Sequence, residues 1–530
     1  MSQESAAPST TSFESFIAPA VNPWVIAITV MLGTFMEVLD TSIANVSLPN
    51  IAGSLSATID ESTWVLTSYL VSNAIVLPMT GWLASYFGRK RFFISCLACF
   101  TIASFLCGMA PSLGWLVVFR VLQGIGGGAL QPISQAILLE SFPPRKRGLG
   151  MAVWGVGVVF APIIGPTVGG WVTDNYGWHW IFFMNIPVGV LAILMAKLFV
   201  FDPIYLKPRA SKIDYFGLAL LIVGVGCLQV FLDQGERNDW LQSAFVARLA
   251  IAAGIGIIGF IVWELYTNHP LINLRLLKDA NFAAGSTVML TVGAVLYSSI
   301  SLLPIFLQTL MGYTATLSGL ILSPRGVGTL IFMPVVGVLV GKVDARRLVA
   351  IGIIFTALPL IWLAGINLQV DQAHIVTPII VQGVGLAFIF VPLTTATFST
   401  MRREEMGNAT GLFNLMRNIG GSLGISLSQT LLDRLGQFHH ARLAEHLSPY
   451  NPQVTSWLHR ATAAFTQRGS SPEHAHQQAL RLLDFLTEQQ AMAISFNDCF
   501  WIMGVLFLAA LPLLFLMKRP QHSGAPVGTH

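Results

Sequence analysis

Charge is what this sequence has least of. Of its 530 residues only 10% are Asp, Glu, Lys or Arg, while 54% are hydrophobic. A soluble globular chain carries roughly 25% charged residues, so this one lacks the charge to cover a water-facing surface. The net charge of +4 says little about partners, and no nucleic-acid partner is expected. Cysteine is scarce too: Cys96, Cys99, Cys107, Cys227 and Cys499 all lie within or beside apolar runs. Cys96-x-x-Cys99 is half of a zinc pattern with no second pair or nearby His to complete it, so no metal is expected and the thiols read as buried and reduced. The first 23 residues have no Lys or Arg, and include Glu4 and Glu14. A cleavable leader needs a basic start, so they read as a tail.

Signs of catalysis are equally thin. Gly337-Val-Leu-Val-Gly341-Lys342 is one residue short of a phosphate-binding loop, and Val343 follows where a Mg-binding hydroxyl is needed. Gly420-Gly421-Ser422-Leu423-Gly424 has the spacing of a serine nucleophile but sits in an apolar helical run, without a strand-to-helix turn. Helix packing explains it better. A membrane sensor or enzyme would need an attached domain or a catalytic constellation, and neither is found. No enzyme activity and no cofactor are expected.

Long apolar runs dominate instead, with most of the 48 glycines and 27 prolines inside them. That is the habit of membrane helices, which pack closely and kink. At about 20 residues per crossing the chain gives fourteen runs, from near 24–47 to near 495–517. Lys and Arg cluster in alternate connections: Arg89-Lys90-Arg91, Arg145-Lys146-Arg147, Lys207/Arg209/Lys212, Arg275/Lys278, Lys342/Arg346/Arg347, Arg402-Arg403 and Lys518-Arg519. Among the opposite short connections Arg237 is the clear exception. The positive-inside rule makes the basic side cytoplasmic, and an even count puts both termini there.

One connection differs. Residues 436–494 are polar and hold six of the eleven histidines, His439, His440, His446, His459, His474 and His476. Gln437 to Leu447 can prolong the thirteenth run, Ser448-Pro449-Tyr450-Asn451-Pro452 reads as a turn, and Ser471-Pro472-Glu473 starts a helix that runs into the last span. A helical prong outside the bilayer is the expectation, with a disordered loop as the alternative.

Ionisable residues inside the runs are costly and functional by default. Glu37 and Asp40 lie three apart in the first run and share a helix face. A pair merely locking helices together is the bland alternative. Arg120, Gln123, Gly127 and Gln131 line one face of the fourth run, with Arg120 a counter-charge for the acids. Arg325 and Arg417 are the other arginines inside runs. Phe35, Trp64, Tyr69 and Tyr297 are candidate pocket aromatics, with ordinary packing as the alternative for each.

Leu39-Asp40-Thr41-Ser42-Ile43-Ala44-Asn45-Val46-Ser47-Leu48-Pro49, Arg120-x-x-Gln123-Gly124, Gly165-Pro166-x-x-Gly169-Gly170 and Trp178-His179-Trp180-Ile181-Phe182-Phe183-Met184-Asn185-Ile186-Pro187 together resemble ordered signatures of the major facilitator superfamily. Within it the sequence is most similar to fourteen-span drug:proton antiporters of the EmrB type, from roughly Trp24 to Met517.

The resemblance implies an all-α integral membrane fold. It would have a cytoplasmic tail at 1–23, a six-helix bundle at 24–201, two linking spans within 202–265, a second bundle at 266–517 with the periplasmic insertion 436–494, and a tail at 518–530. It implies alternating access about a central cavity in the bacterial inner membrane, driven by the proton motive force. Small hydrophobic compounds are the cargo, with a metabolite, fatty acid or siderophore as the alternative. Glu37, Asp40 and Arg120 would couple protons, while Phe35, Trp64, Tyr69, Gln123, Tyr297 and Arg417 would line the pocket. Gly81, Gly88, Arg89, Gly165, Pro166, Gly169, Asp344 and Arg346 would serve gating and packing. The partners implied are a periplasmic adaptor of EmrA type and an outer-membrane channel. One departure stands out: Ser85 takes the place of the family's Asp in the loop after the second span, which puts an acid-based lock in the first half in doubt.

Overall fold

The computed structural model describes residues 22–143, 146–202, 214–267, 270–448 and 450–517. The greater part of the expected tails, Arg145, Lys207, Arg209, Lys212, Pro449, Lys518 and Arg519 lie outside them.

The first half contains α1 (Pro23–Ser54), the one-turn α2 (Ile59–Ser62), α3 (Trp64–Phe87), α4 (Arg89–Gly108), α5 (Leu113–Gly127), α6 (Leu130–Ser141), α7 (Arg147–Tyr176), the short α8 (Trp180–Phe183) and α9 (Asn185–Phe199). Two linking helices follow, α10 (Tyr215–Gln234) and α11 (Ala244–Tyr266). The second half contains α12 (Ala280–Ile305), α13 (Ala315–Leu322), α14 (Pro324–Leu339), α15 (Ala345–Leu363), α16 (Gln372–Thr397), α17 (Met406–Ala444), α18 (Pro452–Gln467) and α19 (Pro472–Leu508). No strand occurs among the described residues.

Among the described residues, twelve helical stretches are long and apolar enough to cross a membrane, and thirteen when the bent α7 is counted as one. α17 accounts for the difference from fourteen. Its 39 residues include Asn414, Arg417, Asn418 and a polar extension, yet it packs along α12 and α3.

Local chemistry sets the breaks. Asn22 accepts a hydrogen bond from Trp24 N at 3.1 Å to open α1, and Asp279 accepts one from Phe282 N at 2.9 Å to open α12. Each satisfies a helix-end N–H that has no partner within its own helix. Between α3 and α4 the chain turns at Gly88 with φ +84°, a left-handed conformation that only glycine adopts without strain. α7 carries Pro162 and Pro166. Pro166 has no N–H for the carbonyl of Pro162, and Ser42 Oγ of α1 donates to that carbonyl at 3.2 Å.

The small residues of α7 bring α1 in. A Cβ on Gly165 would overlap Ser42, and one on Gly169 would lie 2.8 Å from Ile43 Cγ2. At the basic loops the two halves close on each other in the same way. A Cβ on Gly81 would overlap Asn408 of α17, and one on Gly148 would lie 2.7 Å from Gly337 O of α14. This end is called the basic face below, and the other the prong face.

The prong is helical. α17 runs on to Ala444, α19 starts at Pro472, and α18 lies against α19. His439 bonds Asp498 at 2.8 Å and His440 bonds Asp484 at 3.2 Å, tying α17 to α19. The expected turn at 448–452 needs correction at its end, because Pro452 is the first residue of α18. Asn451 caps that helix by accepting from Gln453 N at 3.0 Å. Asn-Pro here starts a helix, the same signature as Ser471-Pro472.

Gly165→Val should overpack the α1–α7 contact at a cost of about 1–3 kcal/mol. Thermal unfolding of the detergent-solubilised protein should show a lower midpoint. An unchanged midpoint would count against this contact.

Candidate functional site

The two first-run acids occupy different environments. Asp40, 2% exposed, accepts from Arg120 Nη1 at 2.5 Å, from Gln123 Nε2 at 3.0 Å and from Asn185 Nδ2 at 2.7 Å. Arg120 also donates to Val65 O at 3.0 Å and to Gln123 Oε1 at 2.7 Å, and its guanidinium lies 4.3 Å from the centre of the Tyr69 ring. Asn185 goes on to Ser104 Oγ at 3.0 Å. Every one of these groups belongs to the first half. The pair is compensated and closed.

Glu37, 4% exposed, is held by neutral donors. Tyr69 Oη and Asn73 Nδ2 each reach its Oε1 at 3.1 Å, and Gln131 Nε2 reaches its Oε2 at 2.6 Å. Two of those donors also touch the second half. Arg417 Nη2 of α17 donates to Gln131 Oε1, and Asn418 Nδ2 donates to Asn73 Oδ1 at 3.4 Å. One turn along, Asn414 Nδ2 donates to Gln135 Oε1 at 2.6 Å. A buried polar seam therefore joins the halves, and Glu37 is the carboxylate wired into it.

The expected grouping of both acids on Arg120 is thus corrected. Arg120 takes Asp40, and Glu37 is served by Tyr69, Asn73 and Gln131. Steric reasons are clear: Arg120 and Gln123 lie two to three helical turns from Gln131 along the α5–α6 column, so each acid meets a different level of it. Tyr69 is correspondingly a hydrogen-bond donor to Glu37, where a pocket aromatic was expected. Gln123 likewise serves Asp40. Arg417 reaches the seam. Phe35 is half-buried toward Gly157 of α7, Tyr297 lies against Gly421, and Trp64 is 37% exposed at the start of α3. These three do not join the acid network's hydrogen bonds.

Of the gating positions, Arg89 is buried and pairs with Glu140 of α6. Ser85 donates to Trp82 O at 2.7 Å. Acids nevertheless reach this loop from elsewhere, since Asp202 accepts from Lys90 N at 2.8 Å and sits beside Gly88. Asp344 caps α15 by accepting from Arg346 N at 3.1 Å and lies 3.6 Å from the Arg346 guanidinium. Arg325, 4% exposed, reaches Ser299 Oγ at 3.1 Å and makes no ion pair among the described residues. Asn73, Gln135, Asn185, Asn414 and Asn418 are missed by a reading that looks for charge. Amides inside otherwise apolar runs are the signal that finds them.

The family model described as Major Facilitator Superfamily matches residues 30–425. The chain is 40% identical over 499 residues to the fatty acid resistance protein FarB of Neisseria gonorrhoeae, across 93% of this chain and 96% of that protein. It is 38% identical over 506 residues to the multidrug export protein EmrB of Escherichia coli K12, across 95% and 97%. Among solved structures, the human organic anion transporter MFSD10 superposes with a TM-score of 0.60 at 12% identity, across 94% of this chain and 100% of that one.

Asp40→Ala should leave Arg120 buried and uncompensated, a loss of about 3–5 kcal/mol. The expected readout is a lower thermal midpoint and a lower yield of folded protein. Wild-type stability would show that the pair does not hold the first half.

Proposed function

Because the chain belongs to the major facilitator superfamily, we propose that it is a proton-coupled exporter of hydrophobic drugs or toxic compounds across a bacterial inner membrane. It is a multi-pass membrane transporter. The observation that carries the coupling reading is Glu37, a buried carboxylate whose donors Gln131 and Asn73 are shared with the second half.

A proton on Glu37 Oε2 turns that oxygen from an acceptor into a donor. When Gln131 turns its carbonyl to accept from that O–H, its NH2 comes to face Arg417. Arg417 has donors only, so the bond between the halves breaks. Losing the proton restores it. Asp40 stays with Arg120 throughout and keeps the first half rigid. A membrane potential contributes about 2.3 kcal/mol per charge per 100 mV, which corresponds to a gradient of about fifty-fold per proton. No ATP is needed.

The positive-inside rule supports a periplasmic prong and cytoplasmic termini. The contacts at Gly81 and Gly148 then close the cytoplasmic side, as in an outward-facing state. The prong is the docking element for a periplasmic adaptor of EmrA type, which completes a tripartite pump with an outer-membrane channel. A second reading, export of an amphipathic acid, is favoured by Arg325, a buried cation that makes no ion pair among the described residues, and by the fatty-acid-resistance relative.

In proteoliposomes, adding a hydrophobic substrate should release protons from wild-type protein, and Glu37→Gln should abolish that release while the protein stays folded. Full coupling in Glu37→Gln would sink the assignment and return the role to Asp40. Removal of residues 437–490 should abolish co-purification of the adaptor and leave vesicle transport largely intact; adaptor retained at wild-type level would refute the docking role.

A further inference from the structure

Apart from one tether at the basic end, where Glu264 of α11 accepts from Leu271 N at 3.1 Å, the linking pair is held through α10. α10 and α11 cross at Gly224 and Gly256, where a Cβ on Gly224 would lie 2.7 Å from Ile257 N. The far face of α11, with Ile251, Ile255 and Ile258 each more than 60% exposed, offers an apolar surface to lipid. What the pair does to the transporter is therefore decided by what α10 touches.

α10 touches both halves. At the basic face α3 and α17 meet directly, through Gly81 with Asn408 and Leu77 O with Gly411. From about the level of Asn73 and Asn418 onward, toward the prong face, each meets α10. On the α3 side, Ile75 and Val71 pack at 3.6 and 3.7 Å from the position of a Cβ on Gly226, and Thr67 donates to Asp233. On the α17 side, Gln229 and Ser422 exchange two hydrogen bonds of 2.7 and 3.0 Å. Trp240 Nε1, just past α10, donates to Thr430 Oγ1 at 3.0 Å. Glu236, in the same turn, shares a hydrogen bond with Asp433. From Gly226 to Glu236 the partners run from Val71 to Thr67 on α3 and from Ser422 to Asp433 on α17, toward the prong face, so α10 and its turn fill the gap between diverging helices.

We propose that α10 is a removable wedge, which stays with α3 and lets go of α17 whenever the prong-face ends of the two halves come together. The proposal rests on the alternating-access reading above. For the prong face to close, α3 and α17 must approach there as they already do at the other end, and α10 occupies that space. Its two sides are unequal. The α3 side is largely apolar, and separating it exposes apolar surface with nothing gained in return. The α17 side is three polar side-chain contacts, which water replaces at little net cost.

The α17 side also responds to pH. The Glu236 carboxyl is pushed up to about 7, first by its hydrogen bond to Asp433 and then by partial burial, with Asp239 adding to this and Arg237 opposing it. Asp233 of α10, bonded to Thr67 of α3, is the other nearby acid. A group whose affinity for protons is raised by a contact stabilises that contact in acid, and the stabilisation is lost as pH rises through the raised value. The wedge is thus held to α17 below about 7 and loosened above it.

Two disulfides test this in full-length protein with the native cysteines replaced. Oxidising Gln229→Cys/Ser422→Cys should cut proteoliposome transport by about tenfold or more, and a reductant should restore it, because a required motion is blocked. Oxidising Thr67→Cys/Asp233→Cys should leave transport within about twofold of the reduced sample. Full transport with the first disulfide closed, or equal loss with the second, overturns the wedge. If reduced samples and the unmodified protein all fail to transport, the exporter reading fails, and the wedge is judged by distance alone. Spin labels on exposed Leu241 and Phe438 should then give one short separation at pH about 6 and an added longer one at about 8, while Glu236→Gln keeps the short one at both. Identical distributions at the two pH values, or a Glu236→Gln variant behaving like its parent, would refute it.

Discussion

One arginine can neutralise one carboxylate at close range, and the first half buries two. Arg120 takes Asp40 at 2.5 Å, supported by Gln123 and Asn185. Glu37, one turn away on the same helix, is left to amides and a phenol. A buried carboxylate bonded directly to neutral dipoles, with Arg417 reached only through Gln131, is easier to switch than one locked in an ion pair. The two acids of α1 are thus held differently, Asp40 in an ion pair within the first half and Glu37 by neutral donors. The seam to α17 depends on that second acid, because Gln131 and Asn73 each serve both Glu37 and a residue across the boundary.

Sequence made the charged part of this legible and the neutral part not. Asp40 and Arg120 stand out because ionised groups in apolar runs demand a partner. Which acid pairs with which base could not be read from spacing, since i, i+3 puts Glu37 and Asp40 on one face and says nothing of the level at which α5 and α6 meet it. Asn414 and Gln135 are 279 positions apart, and no local pattern joins them. Ser85 is the instructive case. Its loss of charge suggested a missing lock, yet Asp202, far along the chain, delivers a carboxylate to the same turn. A motif describes a stretch of chain, whereas electrostatics needs only a place in space. Fold-level features fared better: the broken α7 follows from Pro162 and Pro166, and the turn at Gly88 follows from glycine between two helices. α18 was hidden because its proline was taken for an end when it marks a beginning.

Glycine does in this molecule what apolar side chains do in a soluble core. Lipid tails give helices no hydrophobic reason to associate, so close backbone approach and polar contacts must supply the attraction. Gly165 and Gly169 admit α1, Gly81 and Gly148 admit the second half, and Gly224 with Gly256 joins the linking helices. The same smoothness that allows these surfaces to meet allows them to slide. Polar groups between the helices are concentrated at Glu37 and along α10.

The length of α17 has a mechanical meaning. It is a single helix of 39 residues, running from the basic loops to Ala444. At 1.5 Å per residue it is about 58 Å long, and α19 beside it is nearly as long. A stiff rod anchored among the helices of the second half acts as a lever, so a tilt of about 10° at its base displaces the far tip by on the order of 10 Å. Rearrangements too small to notice at Glu37 would therefore emerge outside the bilayer as a swing the size of a helix diameter. Anything bound to the prong would feel that tilt, by leverage alone, as a change of position.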